Sequence, residues 1–115
     1  MDALRRGNPV RLFTDELRCP IAVEDLAAQL WEVALLTPER RAGVWHLAGP
    51  EAVSRYALGV LLALRHGVDP AAIVPALSAS APAPRPRDLR LLTPRADREL
   101  LTRARPVSAV LIPPG

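Results

Sequence analysis

Apolar positions recur at helical spacing in two stretches of the chain. Between Glu24 and Leu36, Leu26, Leu30, Val33 and Ala34 fall on one face with Trp31 beside them, and Thr37-Pro38 closes the pattern. Glu24 and Asp25 stand in its first turn, where acids favour the helix dipole. A second helix, Arg55–His66, is opened by Ser54, a good N-cap, and stopped by Gly67. Leu58, Leu61 and Leu62 share one of its faces, while Ala57, Val60 and Leu64 fill the others, which predicts burial on more than one side. Alternating apolar and basic residues predict a strand at Val10–Phe13, a short apolar run predicts one at Val44–Ala48, and Pro20 makes Arg18–Val23 extended. Gly49-Pro50 turns the Val44–Ala48 run toward the Ser54 helix. A strand that feeds a helix through a tight turn is where α/β proteins place ligands, so Gly43–Arg55 is a candidate wall of a site.

The remaining segments are shorter. Ala3–Arg6 reads as a helix tail stopped by Gly7, so the chain is expected to begin inside a larger fold. Glu39–Ala42 reads as a polar loop closed by Gly43. Asp69–Ala72 predicts one more turn before the apolar Ile73-Val74. Ser78–Pro86 is small, polar and proline-rich, hence extended; it lacks the Pro-x-x-Pro spacing of an SH3 ligand. Thr93-Pro94 predicts the start of a short helix to about Thr102, and Val107–Gly115 a loose tail.

Composition narrows the chemistry. At 115 residues and 50% apolar, the chain suits one domain or part of one, with a core of Leu, Val and Ala because aromatics are only 3%. Cys19 is the only cysteine, which excludes an internal disulfide and fits a reducing compartment. No apolar run approaches the roughly 20 residues that span a bilayer, and no signal-peptide core is visible, so a soluble, cytoplasmic protein without membrane contact is expected. All 15 basic residues are arginine. That pattern fits phosphate or nucleic-acid recognition by guanidinium forks, and more simply a coding bias toward arginine. The absence of lysine excludes lysine bases, Schiff bases and P-loop lysines within this chain.

Most familiar catalytic patterns are missing. Tyr56 is followed one helical turn later by Val60, not lysine. His46 and His66 have no companion ligands at metal spacing. Ser54 has no Gly-x-Ser-x-Gly around it, and no glycine-rich nucleotide fingerprint is present. What remains are arginines beside strand, helix and rigid segments: Arg18, Arg55, Arg85 and Arg87.

The order of motifs then becomes informative. An extended RCPIAVEDLA, a helix, GVWHLAGP, a helix beginning SR, RPRDL and PRADRELL together resemble the C-terminal part of the extended short-chain dehydrogenases/reductases. The likeness is greatest to dTDP-4-dehydrorhamnose reductases and related sugar-nucleotide reductases and epimerases. It covers about residues 3–110, and the opening ALRRGNPVRLFTDELR is similar to the segment after the family's last large cofactor-domain helix. The resemblance implies an α/β fold, the small substrate-binding portion of an extended Rossmann-type reductase. About three helices and two to three short strands would form it, with an incomplete sheet. Residues 1–17 would start inside the family's fold, 18–110 form the sugar-nucleotide-binding domain and 111–115 a loose tail.

Carried over by position, the resemblance places Arg18 and Arg85 near a nucleotide diphosphate and Ser54-Arg55 at the reductase-like S-R pair. Val23 and Asp25 match a V-x-D junction, where Asp25 is structural. The family's NAD(P)-binding loop and Tyr-x-x-x-Lys have no counterpart in this chain. It is therefore expected to hold a nucleotide sugar without a cofactor of its own and to be inactive alone, as a truncated or mis-started enzyme or a small module. The strands and helices would also lack packing surface, so exposed apolar faces are expected to recruit a partner chain or a second copy. Two alternatives stand beside this reading: an arginine-rich nucleic-acid-binding module, disfavoured by dispersed arginines and few aromatics, and a truncated remnant without function.

Overall fold

A computed structural model of the chain describes residues 1–84 and 86–112. In chain order the described elements are α1 (Asp2–Arg5), β1 (Val10–Phe13), β2 (Leu17–Arg18), α2 (Val23–Ala34), α3 (Pro38–Arg41), β3 (Val53–Ser54), α4 (Arg55–Arg65), β4 (Ile73–Ala76), α5 (Pro94–Glu99) and α6 (Val107–Val110). Single 3₁₀ turns lie at Pro70–Ala72 and Ser78–Ser80. The fold is α/β with an incomplete sheet: β1 pairs in parallel with β4, and β2 pairs antiparallel with β3.

The β1–β4 pair aligns Val10 with Ile73 and Phe13 with Ala76. Parallel strands need a crossover, and here the crossover ends in α4, which packs on both strands. Gly59 makes that contact: it is buried, and a Cβ there would collide with Leu12 Cδ1. Ala63, Ile73 and Ala76 form the core of this half. Gly67, at φ 67°, closes α4 as the sequence predicts.

Ala96, Leu100 and Val107 are also buried. Val107–Val110, which the sequence assigns to a loose tail, is helical. Ser108 donates its N–H and its hydroxyl to Glu51, both at 3.0 Å, and Val107 is buried at the start of α6. Residues 113–115 lie outside the described residues.

Other expectations change on folding. Val44–Ala48 forms no strand, since it joins no ladder among the described residues. It is held instead by Arg95, which donates to Val44 O at 3.1 Å and stacks on Trp45 at 3.9 Å. Arg18–Val23 pairs only at Leu17–Arg18; beyond that, Gly49 N–H reaches Cys19 O at 3.2 Å. Glu39–Arg41 is helical rather than loop, since Pro38 suits the first position of a helix. The Thr93-Pro94 helix stops at Glu99, and Ser78–Ser80 is a turn fastened to Asp15 rather than an extended run.

The largest revision concerns α2. Its inward side is polar: Gln29 Nε2 donates to Thr102 O at 3.0 Å, Glu32 accepts from the N–H groups of Leu101 and Thr102, and Asp25 accepts from Arg105. Leu30 and Ala34 of the predicted apolar stripe, and Trp31 beside it, face outward and are exposed.

Candidate functional site

The end of β1 runs straight into a polar turn, Thr14-Asp15-Glu16, and then into β2. Thr14 extends the β1–β4 pairing by donating its N–H to Ala76 O at 2.9 Å. Asp15 accepts from Ser78 twice, from the N–H at 2.9 Å and from the hydroxyl at 2.7 Å. The Ser78 hydroxyl, then its N–H and the Arg87 guanidinium, hold the Asp15 carboxyl below the usual carboxylate range against the opposing effect of desolvation. Arg87 Nε lies 3.7 Å from Asp15 Oδ2.

Glu16 is fully buried, at 0% exposure. A buried carboxylate persists only when paired and hydrogen-bonded. Arg55 Nε donates to Glu16 Oε2 at 2.6 Å, and Arg55 N–H donates to Glu16 O at 3.2 Å. Arg18 Nη2 stands 3.8 Å from the same Oε2. Residues 39 apart in sequence thus meet because β2 pairs with β3, setting Leu17 opposite Ser54 and Arg18 opposite Val53.

Arg18 serves a second purpose. Its Nη1 donates to Leu17 O at 2.8 Å and its Nη2 to Pro86 O at 3.2 Å. Leu17 N–H donates to Arg87 O at 2.6 Å, and Leu89 N–H donates to Leu17 O at 3.2 Å. The 86–89 segment therefore lies along β2 as an added edge. Ser54 Oγ accepts from Ala57 N–H at 3.0 Å, the cap read from the sequence. Three sequence-derived candidates, Arg18, Ser54 and Arg55, are brought to one place. Arg85, the fourth, lies outside the described residues, and its neighbour Pro86 touches Arg18.

Two of the residues that organise this site were absent from the sequence candidates. Asp15 and Glu16 stand side by side in the sequence just before Leu17-Arg18, and nothing local distinguishes them from a solvated turn. Their roles come from Ser78 and Arg55, which lie far along the chain.

A separate cavity of about 470 Å³ opens between α2 and the 90–104 segment, lined by Gln29, Cys19, Gly49, Arg90, Thr93 and Arg103 among others. Its arginines are paired, Arg90 with Asp88 at 2.7 Å and Arg103 with Asp97 at 3.8 Å. Gln29 Oε1 is buried without a partner among the described residues. Among those residues no group of three or more His, Cys, Asp or Glu side chains is placed to hold a metal, and no helix is long and apolar enough to cross a membrane.

The cluster around Glu16 gathers the guanidinium groups of Arg18 and Arg55, a group type suited to anionic oxygens. A family model described as the RmlD substrate binding domain matches residues 1–111. No curated protein matches the chain.

Proposed function

The chain belongs to the RmlD substrate-binding-domain family, and on that premise we propose that it is the sugar-nucleotide-holding portion of a dTDP-4-dehydrorhamnose reductase-like protein. In this reading Arg18 and Arg85 face the diphosphate. Arg55 is committed to Glu16, and Ser54 caps α4. The observation that carries the reading is the meeting of Arg18 and Arg55 on one buried carboxylate at the junction with the 86–89 segment. Arg55 pairs with Glu16 at 2.6 Å, whereas Arg18 lies 3.8 Å from the same oxygen and is the less committed of the two to that carboxylate.

By itself the chain holds ligand and does not transform it. The sequence has no lysine, and Tyr56 has Val60 one turn on. The family's nicotinamide dinucleotide does not fit the residues present. Gly7, Gly43 and Gly67, the described glycines with positive φ, follow helix ends rather than cradle a phosphate at a helix start.

Titration calorimetry of the full chain with dTDP and dTDP-glucose tests the reading. Weak binding that falls at least tenfold in Arg18→Ala and Arg85→Ala, with no binding of NAD(P)H, is expected. Indifference to both nucleotides, together with tight and steeply salt-dependent binding of DNA or RNA, would replace it with the nucleic-acid reading. Binding of neither class would mark a remnant. The internal pairing of Arg55, Arg90, Arg95 and Arg105 with nearby acids argues against a free basic surface.

A further inference from the structure

The helix α2 is amphipathic in the reverse sense for a lone domain. Its polar side is spent on the backbone of residues 101–105, and its apolar side faces outward. Val23 is 72% exposed, Leu30 53%, Trp31 68% and Leu35 79%, and Ala27 and Ala34 between them are exposed as well. Leu30 and Trp31 rim a shallow groove of about 330 Å³ floored by Ala27 and Ala34.

Three properties of this face point to the same occupant. Val23, Ala27, Leu30 and Ala34 follow a four-three-four spacing, the seam along which two helices pack side by side. The alternation of large and small residues lets one helix's leucine settle over the other's alanine. Charge sets the direction. Glu24 is exposed at the N-terminal end of α2, and exposed Arg40 and Arg41 follow its C-terminal end in α3. An antiparallel copy brings each Glu24 end to the other's Arg40–Arg41 end, twice by symmetry, and opposes the two helix dipoles; a parallel copy sets like ends together. Surface area agrees. The accessible surface is 7517 Å², against about 6,100 Å² for a compact monomer of this mass. That excess exceeds the roughly 800 Å² each partner gives to a standard interface.

We propose that the outward face of α2 is a two-fold, antiparallel contact between two copies of this chain, centred near Trp31. The contact is isologous, so one patch suffices for both protomers. It stands independently of the ligand reading, because none of its residues belongs to the Glu16 cluster.

Sedimentation equilibrium on the full chain tests it. A dimer is expected, with Leu30→Glu raising the dissociation constant at least a hundredfold while circular dichroism stays unchanged, since Leu30 is more than half exposed in the protomer. Glu24→Arg alone and Arg40→Glu/Arg41→Glu alone should each weaken the dimer, and the combined variant should restore it. A monomer at all concentrations, open-ended aggregation, or a dimer indifferent to Leu30→Glu would overturn the proposal. Charge variants that weaken the dimer without mutual rescue would overturn the antiparallel arrangement.

Discussion

Ser54 illustrates how one residue divides its labour between backbone and side chain. Its backbone pairs with Leu17 across β2 and β3, while its Oγ takes the Ala57 N–H. Ser54→Ala should therefore cost about 1 kcal/mol in a urea melt and leave dTDP-glucose binding unchanged, which separates a cap from a ligand contact. Gly49 is a stricter case. It is buried, and a Cβ there would overlap the Pro20 carbonyl, a backbone group with little freedom to move. Gly49→Ala should lower stability by roughly 1–3 kcal/mol, as overpacking does, and the same urea melt would register it. Glu16 was legible in the sequence only as part of an acidic pair. Full burial changes its meaning: its charge now depends on Arg55 and Arg18, and those partners arrive through strand pairing that no local pattern announces.

At the scale of elements, α2 was readable in position and unreadable in orientation. Its apolar spacing predicted a helix from Glu24 to Leu36, and Val23–Ala34 is helical. The stripe was expected to face a core of this chain, yet the inner side belongs to Asp25, Gln29 and Glu32. Hydrogen bonds from Arg105, its side chain first, hold the Asp25 carboxyl below the usual range; Thr102 and then Leu101 do the same for Glu32. A carboxyl lowered in the folded state is protonated more readily in the unfolded chain, so unfolding takes up protons as pH falls. The stabilisation is complete above the unfolded values near pH 4 and is lost as pH drops through the lower folded values. Urea midpoints should accordingly fall between pH 5 and pH 3, and Glu32→Gln, less stable at neutral pH, should show a flatter dependence. The Val44–Ala48 run teaches the complementary lesson. Its residues suit a strand, but a ladder needs a neighbour, and Arg95 on α5 holds this segment instead.

For the whole molecule, extension is the governing fact. The radius of gyration is 16.9 Å, against about 13 Å for a compact domain of this length, and α2 turns its apolar side outward. If that surface closes on a second copy, the thermal midpoint becomes concentration-dependent. The melting temperature should rise by several degrees between 1 and 100 µM chain, and Leu30→Glu should abolish the rise; differential scanning calorimetry reads both. Sequence alone settled what depends on neighbours along the chain: the N-cap at Ser54, the stop at Gly67, the β1 and α4 segments, the α/β class and the order of motifs that carries the family. Tertiary structure decided what depends on partners far apart in the chain. It set which side of α2 faces in, whether Val44–Ala48 finds a ladder, and how Arg18 and Arg55 come to share Glu16. Spacing reports the period of an element, but which face is buried depends on what the rest of the chain places beside it.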